Sequence, residues 1–140
     1  MDMWIAKKLR DQVKEGTVPS IQHACEALTN YSHGCALASG WWNDAATGER
    51  KERNTGECLM LIVSEIAEAM EADRKRAMDD HLPHRAGLEV ELADAVIRIF
   101  DFAGANGLDL GGAMAEKLQY NTSRADHKAE NRAKPGGKAY

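Results

Sequence analysis

A chain of 140 residues fits one domain of ordinary size, with room for a core of several helices but not for two independent cores. Its composition, 44% hydrophobic and 29% charged with a formal charge of −4, lacks the excess of Lys and Arg that a general nucleic-acid surface needs. No apolar run approaches the roughly 20 residues that span a bilayer, so neither nucleic acid nor membrane is an expected partner. The start, Met1 to Lys8, has no apolar signal-peptide core. Cys25, Cys35 and Cys58 have no C-x-x-C spacing and sit among apolar helical residues. They read as buried, reduced thiols, and the expected compartment is the cytoplasm.

Taken in order, residues 2–15 read as a short amphipathic helix, with Ile5, Leu9 and Val13 spaced four apart. Gly16 to Ser20 breaks it, and Ser20 is the expected N-cap of the next helix. Ile21, Ala24, Cys25, Leu28, Tyr31, Cys35 and Ala38 trace that helix's stripe, and Gly40 ends it. Residues 43–54 read as a polar loop, closed by Asn54 at capping-box spacing from Glu57.

The helix at 57–73 carries a core stripe of Leu59, Ile62, Val63, Ile66 and Met70, widened by Met60, Leu61 and Ala67. A helix this apolar predicts more than one neighbour, including one across a subunit interface. Residues 74–86 form a charged connection broken at Pro83. Leu88, Leu92, Ala95, Val96, Ile99 and Ala103 mark the next strong helix, which ends near Gly104 or Gly107. A last helix runs from about Asp109 to Arg124. The expected fold is all-α, a bundle of four to five helices over residues 1–125 completed by oligomerisation. Residues 126–140 form a polar tail, expected to be mobile.

Glu65 and Glu68 are three apart on the first strong helix, and Glu91 and Asp94 are three apart on the second. Three residues turn a helix by about 300°, so each pair shares a face. If the helices pack antiparallel, the pairs converge at the edge of the contact. Crowded carboxylates repel, and a hard cation such as Mg²⁺ relieves them with all-oxygen ligation. Acidic pairs three apart are also common on solvated helix faces, and this chain has the further pairs Glu49/Glu52 and Glu68/Glu71. No Glu has a His three residues on, so the pattern fits magnesium better than a di-iron bundle. Lys117, Asn121 and Arg124, at i, i+4 and i+7, offer a phosphate-binding face or an exposed polar one. Arg98 reads as the i, i+4 partner of Asp94.

Together these residues resemble the MazG-like family of all-α nucleoside triphosphate pyrophosphatases, over roughly residues 20–125. The resemblance rests on Glu65-x-x-Glu68, then after 22 intervening residues Glu91-x-x-Asp94, then Lys117-x-x-x-Asn121-x-x-Arg124. His33, seven residues before Gly40-Trp41-Trp42, resembles phage-type members. Many members have Glu-Glu-x-x-Glu at the first pair, where Ser64 stands in the first position here.

The resemblance implies hydrolysis of (d)NTPs to monophosphate and pyrophosphate with Mg²⁺, for which Mn²⁺ can substitute, with a lean toward dGTP and GTP. It implies Glu65, Glu68, Glu91 and Asp94 as metal ligands, with Glu68 the first candidate to accept the proton of the attacking water. Lys117, Asn121 and Arg124 would hold the phosphates, and Lys117 would act in catalysis by neutralising the leaving pyrophosphate. His33 and Trp42 would line the base pocket. Trp41 and Trp42 could equally be a core anchor, and because adjacent residues point different ways the expectation is a split, one Trp buried and Trp42 nearer the nucleotide. A homodimer or homotetramer is the implied assembly. The rival expectation is a non-catalytic helical dimer that binds nucleotide or a protein partner.

Overall fold

Among the described residues every regular element is helical, in a computed structural model that describes residues 3–16 and 19–136. The elements are α1 (Met3–Lys14), α2 (Pro19–Ala38), α3 (Thr55–Lys75), α4 (Gly87–Ala105), α5 (Leu110–Ser123), a 3-10 turn (Ala125–His127) and α6 (Ala129–Arg132). Asp2, Thr17, Val18 and positions 137–140, which the sequence assigned to the first helix, the break and the tail, lie outside the described residues. No helix among those described is long and apolar enough to cross a membrane. The chain divides into two compact units, 27–108 and 1–26 with 109–140.

In the unit 27–108, α2 ends as expected at Gly40. Its φ of +76° lets the Trp41 N–H reach back to the Ala36 carbonyl at 3.0 Å. Asn54 caps α3: its Oδ1 accepts the Glu57 N–H at 3.1 Å. The helix closes at Arg76, which takes the left-handed conformation (φ 50°) while the Ala77 N–H bonds the Ala72 carbonyl at 3.0 Å. Arg74 and Lys75 in the last turn suit the negative end of the helix dipole.

α3 and α4 run antiparallel. Gly87 at the start of α4 lies against Ala72 near the end of α3, and a Cβ at Gly87 would come within 3.0 Å of the Ala72 Cβ. Glu65 meets Arg98 midway, and Cys58 and Phe102 line one cavity at the far end. The buried positions on the two helices are mostly small: Cys58, Ala69, Gly87, Ala95 and Ala103, joined by Glu65 and Phe100.

This corrects the expected core stripes in part: Ala95 and Ala103 are buried as expected, but the large residues are not. Leu59, Val63, Ile66 and Met70 on α3, and Leu88, Leu92, Val96 and Ile99 on α4, are exposed in the chain. Helices approach closest where side chains are small. The Ala, Gly and Cys positions therefore set the rotation of each helix and roll its large apolar residues outward.

In the other unit, α1 packs on α5. The helix α2 begins at Pro19, so Ser20 lies inside it and is not its cap. Proline suits a first helical turn, where its missing N–H leaves no bond unmade. Asp109 caps α5 by accepting the Gly112 N–H at 2.8 Å. Gly111 is buried because α2 passes so close that a Cβ there would lie 3.1 Å from both the Cys25 Cβ and the Gln22 Cα. Cys25 and Cys58 are buried as expected, but Cys35 is exposed; all three are free thiols. Part of the expected tail is folded, with the Asn131 amide donating to the Ala125 carbonyl at 2.8 Å.

Candidate metal centre

The antiparallel seam brings three of the four singled-out carboxylates together. One oxygen each from Glu65, Glu91 and Asp94 lies within 4.8 Å of the others. Glu65 is 6% exposed, a carboxylate held in an apolar seam. Its Oε1 accepts a 2.6 Å bond from the Arg98 Nε. Glu91 is pushed above its ordinary pKa first by burial, then by the Glu68 charge, and then by a hydrogen bond to Glu65 that favours a protonated Glu91. Asp94 is raised by burial and the Glu65 charge, with Arg98 pulling the other way. Glu91 and Asp94 therefore hold protons more tightly than isolated carboxylates would.

Glu68 departs from the expected ligand set. It is exposed and outside the three-carboxylate cluster, although its charge reaches Glu91. Glu65 and Ala69, four apart, point into the seam, whereas a step of three residues turns Glu68 about 60° off that line. The Ser64 hydroxyl donates back to the Leu61 carbonyl at 2.8 Å.

Further along α4, Asp101 gathers two of the predicted groups. His33 Nδ1 donates to its Oδ1 at 2.8 Å, and the Trp42 Nε1–H donates to the same oxygen at 2.8 Å. The two rings meet edge to face, 5.8 Å between centroids. Trp42 is 5% exposed and Trp41 is 68% exposed, so the aromatic pair splits in the opposite sense to the expectation. Trp42 is the buried anchor because its indole N–H finds a carboxylate, which a buried Trp requires.

A cavity of about 20 Å³, room for a single water, lies among Trp42, Arg53, Arg98 and Asp101. The Arg53 guanidinium sits 5.2 Å from the Trp42 ring centroid. His33 also lines an open groove of about 390 Å³ with Thr29, Asn30 and Gly104.

Arg98, Asp101 and Arg53 were not among the expected site residues. A signal for the first two was present: Glu91, Asp94, Arg98 and Asp101 fall at i, i+3, i+7 and i+10, one charged stripe down a helix whose only other charged residue is Glu89. The i, i+4 reading paired Arg98 with Asp94, and the structure pairs it with Glu65 across the seam.

The three residues expected at phosphate belong to the unit 1–26 with 109–140. Lys117 is exposed, with its Nζ 5.0 Å from the Tyr120 ring centroid. The Asn121 Oδ1 is buried and has no hydrogen-bond partner among the described residues. Arg124 lies one residue past the end of α5, on extended backbone, with its guanidinium donating to both oxygens of Asp126, one bond at 2.9 Å. The expected i, i+4, i+7 face therefore stops at Asn121, because the helix ends before Arg124. Compared with protein-family models, with curated proteins and with solved structures, the chain matches none.

Proposed function

We propose that the chain is a magnesium-dependent nucleoside triphosphate pyrophosphatase, releasing monophosphate and pyrophosphate. The observation that carries this is the convergence of Glu65, Glu91 and Asp94 from two helices within 4.8 Å. The donor set fits the ion: all oxygen, with Glu91 and Asp94 raised by burial and then by their charged neighbours, and so relieved by a hard dication. Bound there, Mg²⁺ would supply charge stabilisation for a triphosphate. Glu68, exposed beside the cluster, would accept a proton from a water at the rim. Asp101 orients His33, which lines the open groove, so His33 would meet a base already positioned.

Such an enzyme would work in the cytoplasm, where triphosphates are made and the three free cysteines stay reduced. A second copy of the chain is the expected cover for the exposed apolar face of α3 and α4.

The test is product analysis over the eight common (d)NTPs, with and without Mg²⁺, for wild type and Asp94→Asn, with guanine nucleotides expected to lead. Pyrophosphate release that needs Mg²⁺ and is lost in the variant supports the proposal. No release with any substrate would leave the non-catalytic helical module in its place.

A further inference from the structure

We infer that Arg98 is a resident counter-cation, which a divalent ion must displace from Glu65 in order to bind; this rests on the cation-site reading above. The two partners differ in freedom. The Glu65 side chain is 8% exposed and fixed in the seam, whereas that of Arg98 is 44% exposed at its mouth. A buried carboxylate left without a partner is strongly unfavourable, so Arg98 leaves only as another cation arrives. The exchange is between two positive charges for one carboxylate.

A destination for Arg98 is at hand. Its side chain lines the small cavity with Asp101, whose Oδ1 takes both the His33 and Trp42 bonds. Oδ2 lies outside those two bonds and can accept a guanidinium N–H. Arg98 shares one face of α4 with Glu91, Asp94 and Asp101, so a change of side-chain rotamer moves its charge along the stripe without moving the helix. Ion binding at the cluster is thereby coupled to the carboxylate that orients His33 and Trp42.

Calorimetric titration with Mg²⁺ and separately Mn²⁺, without substrate, reads the competition. Arg98→Gln removes the competitor and binds the ion roughly three- to tenfold more tightly than wild type, a difference of about 0.6–1.4 kcal/mol. Arg98→Lys keeps the positive charge and stays within about twofold of wild type. If Arg98 only oriented Glu65 as a ligand, Arg98→Gln would bind more weakly; weaker or unchanged binding overturns the inference and leaves the cation site standing.

Nitrogen-15 spectra of the wild-type arginine Nε–H groups supply the second measurement, independent of how the variants fold. The Arg98 resonance shifts on Mg²⁺ saturation if the bond to Glu65 breaks, and an unmoved resonance refutes the exchange. No ion binding by wild type in either titration would instead overturn the cation-site reading and the inference with it.

Discussion

Glu91→Gln should stabilise the metal-free protein, contrary to the usual effect of altering a half-buried residue. Two unit charges 4.8 Å apart repel by about 3.5 kcal/mol at an effective dielectric near 20. In the native chain Glu91 faces Glu65, Asp94 and Glu68. Arg98 beside Glu65, partial solvent screening and proton uptake offset much of this, leaving an expected gain of about 1–2 kcal/mol at pH 8.

The pH dependence carries the sign. Glu91 and Asp94 are raised in the native state, so that state holds protons which the unfolded chain releases. Wild-type stability therefore falls as pH climbs from the ordinary carboxylate range, around 4, through the raised values. Below that range the carboxyls are protonated in both states, and the advantage of the variant disappears. Urea unfolding in EDTA at pH 4 and pH 8 measures both halves. With Mg²⁺ the order reverses, because binding to the native state stabilises wild type by RT ln(1 + [Mg²⁺]/Kd). A Glu91→Gln protein less stable than wild type at pH 8 in EDTA would refute the repulsion on which the site rests.

Glu68→Gln should retain Mg²⁺ binding within a few fold yet lose on the order of 10²-fold or more in turnover, because Glu68 stands outside the three-carboxylate cluster. Calorimetry and steady-state rates on one preparation separate the two, and lost ion binding would return Glu68 to the ligand set. Arg76→Gly should stabilise the protein by about 0.5–1 kcal/mol in urea melts, since Arg76 holds a left-handed backbone at φ 50° that glycine adopts freely. A destabilised variant would mean that the Arg76 side chain contributes more than its backbone strain costs. Val63→Glu, on the exposed apolar face of α3, should shift the protein from an oligomer to the 15.4 kDa monomer by light scattering. A wild type already monomeric at micromolar concentration would remove the second copy from the proposal.

The sequence by itself determined much of the local structure, where local rules suffice for it. Asn54 before Glu57 is enough to start α3, Gly40 with its open left-handed region is enough to end α2, and period-3.6 patterning is enough to exclude strands. Carboxylate pairs three apart must share a helix face whatever the helix packs against, so the acidic pairs of α3 and α4 were legible before any packing was known.

Which face turns inward was decided only by tertiary structure. Volume patterning pointed Leu59, Val63, Ile66 and Met70 to the core, yet the close approach of α3 and α4 is set by Ala69, Ala72, Gly87 and Ala95. That rotation carries Glu65 into the seam and leaves Glu68 at its rim. It also brings Arg98 to Glu65, a partner 33 residues away, whereas spacing along α4 alone pointed to Asp94. Trp41 and Trp42 are chemically identical neighbours, and the choice between them followed from Asp101, which sits 59 residues beyond Trp42 and accepts its indole N–H. Long-range partners of this kind leave no trace in local spacing, because a helix's rotation about its axis is fixed by what it packs against.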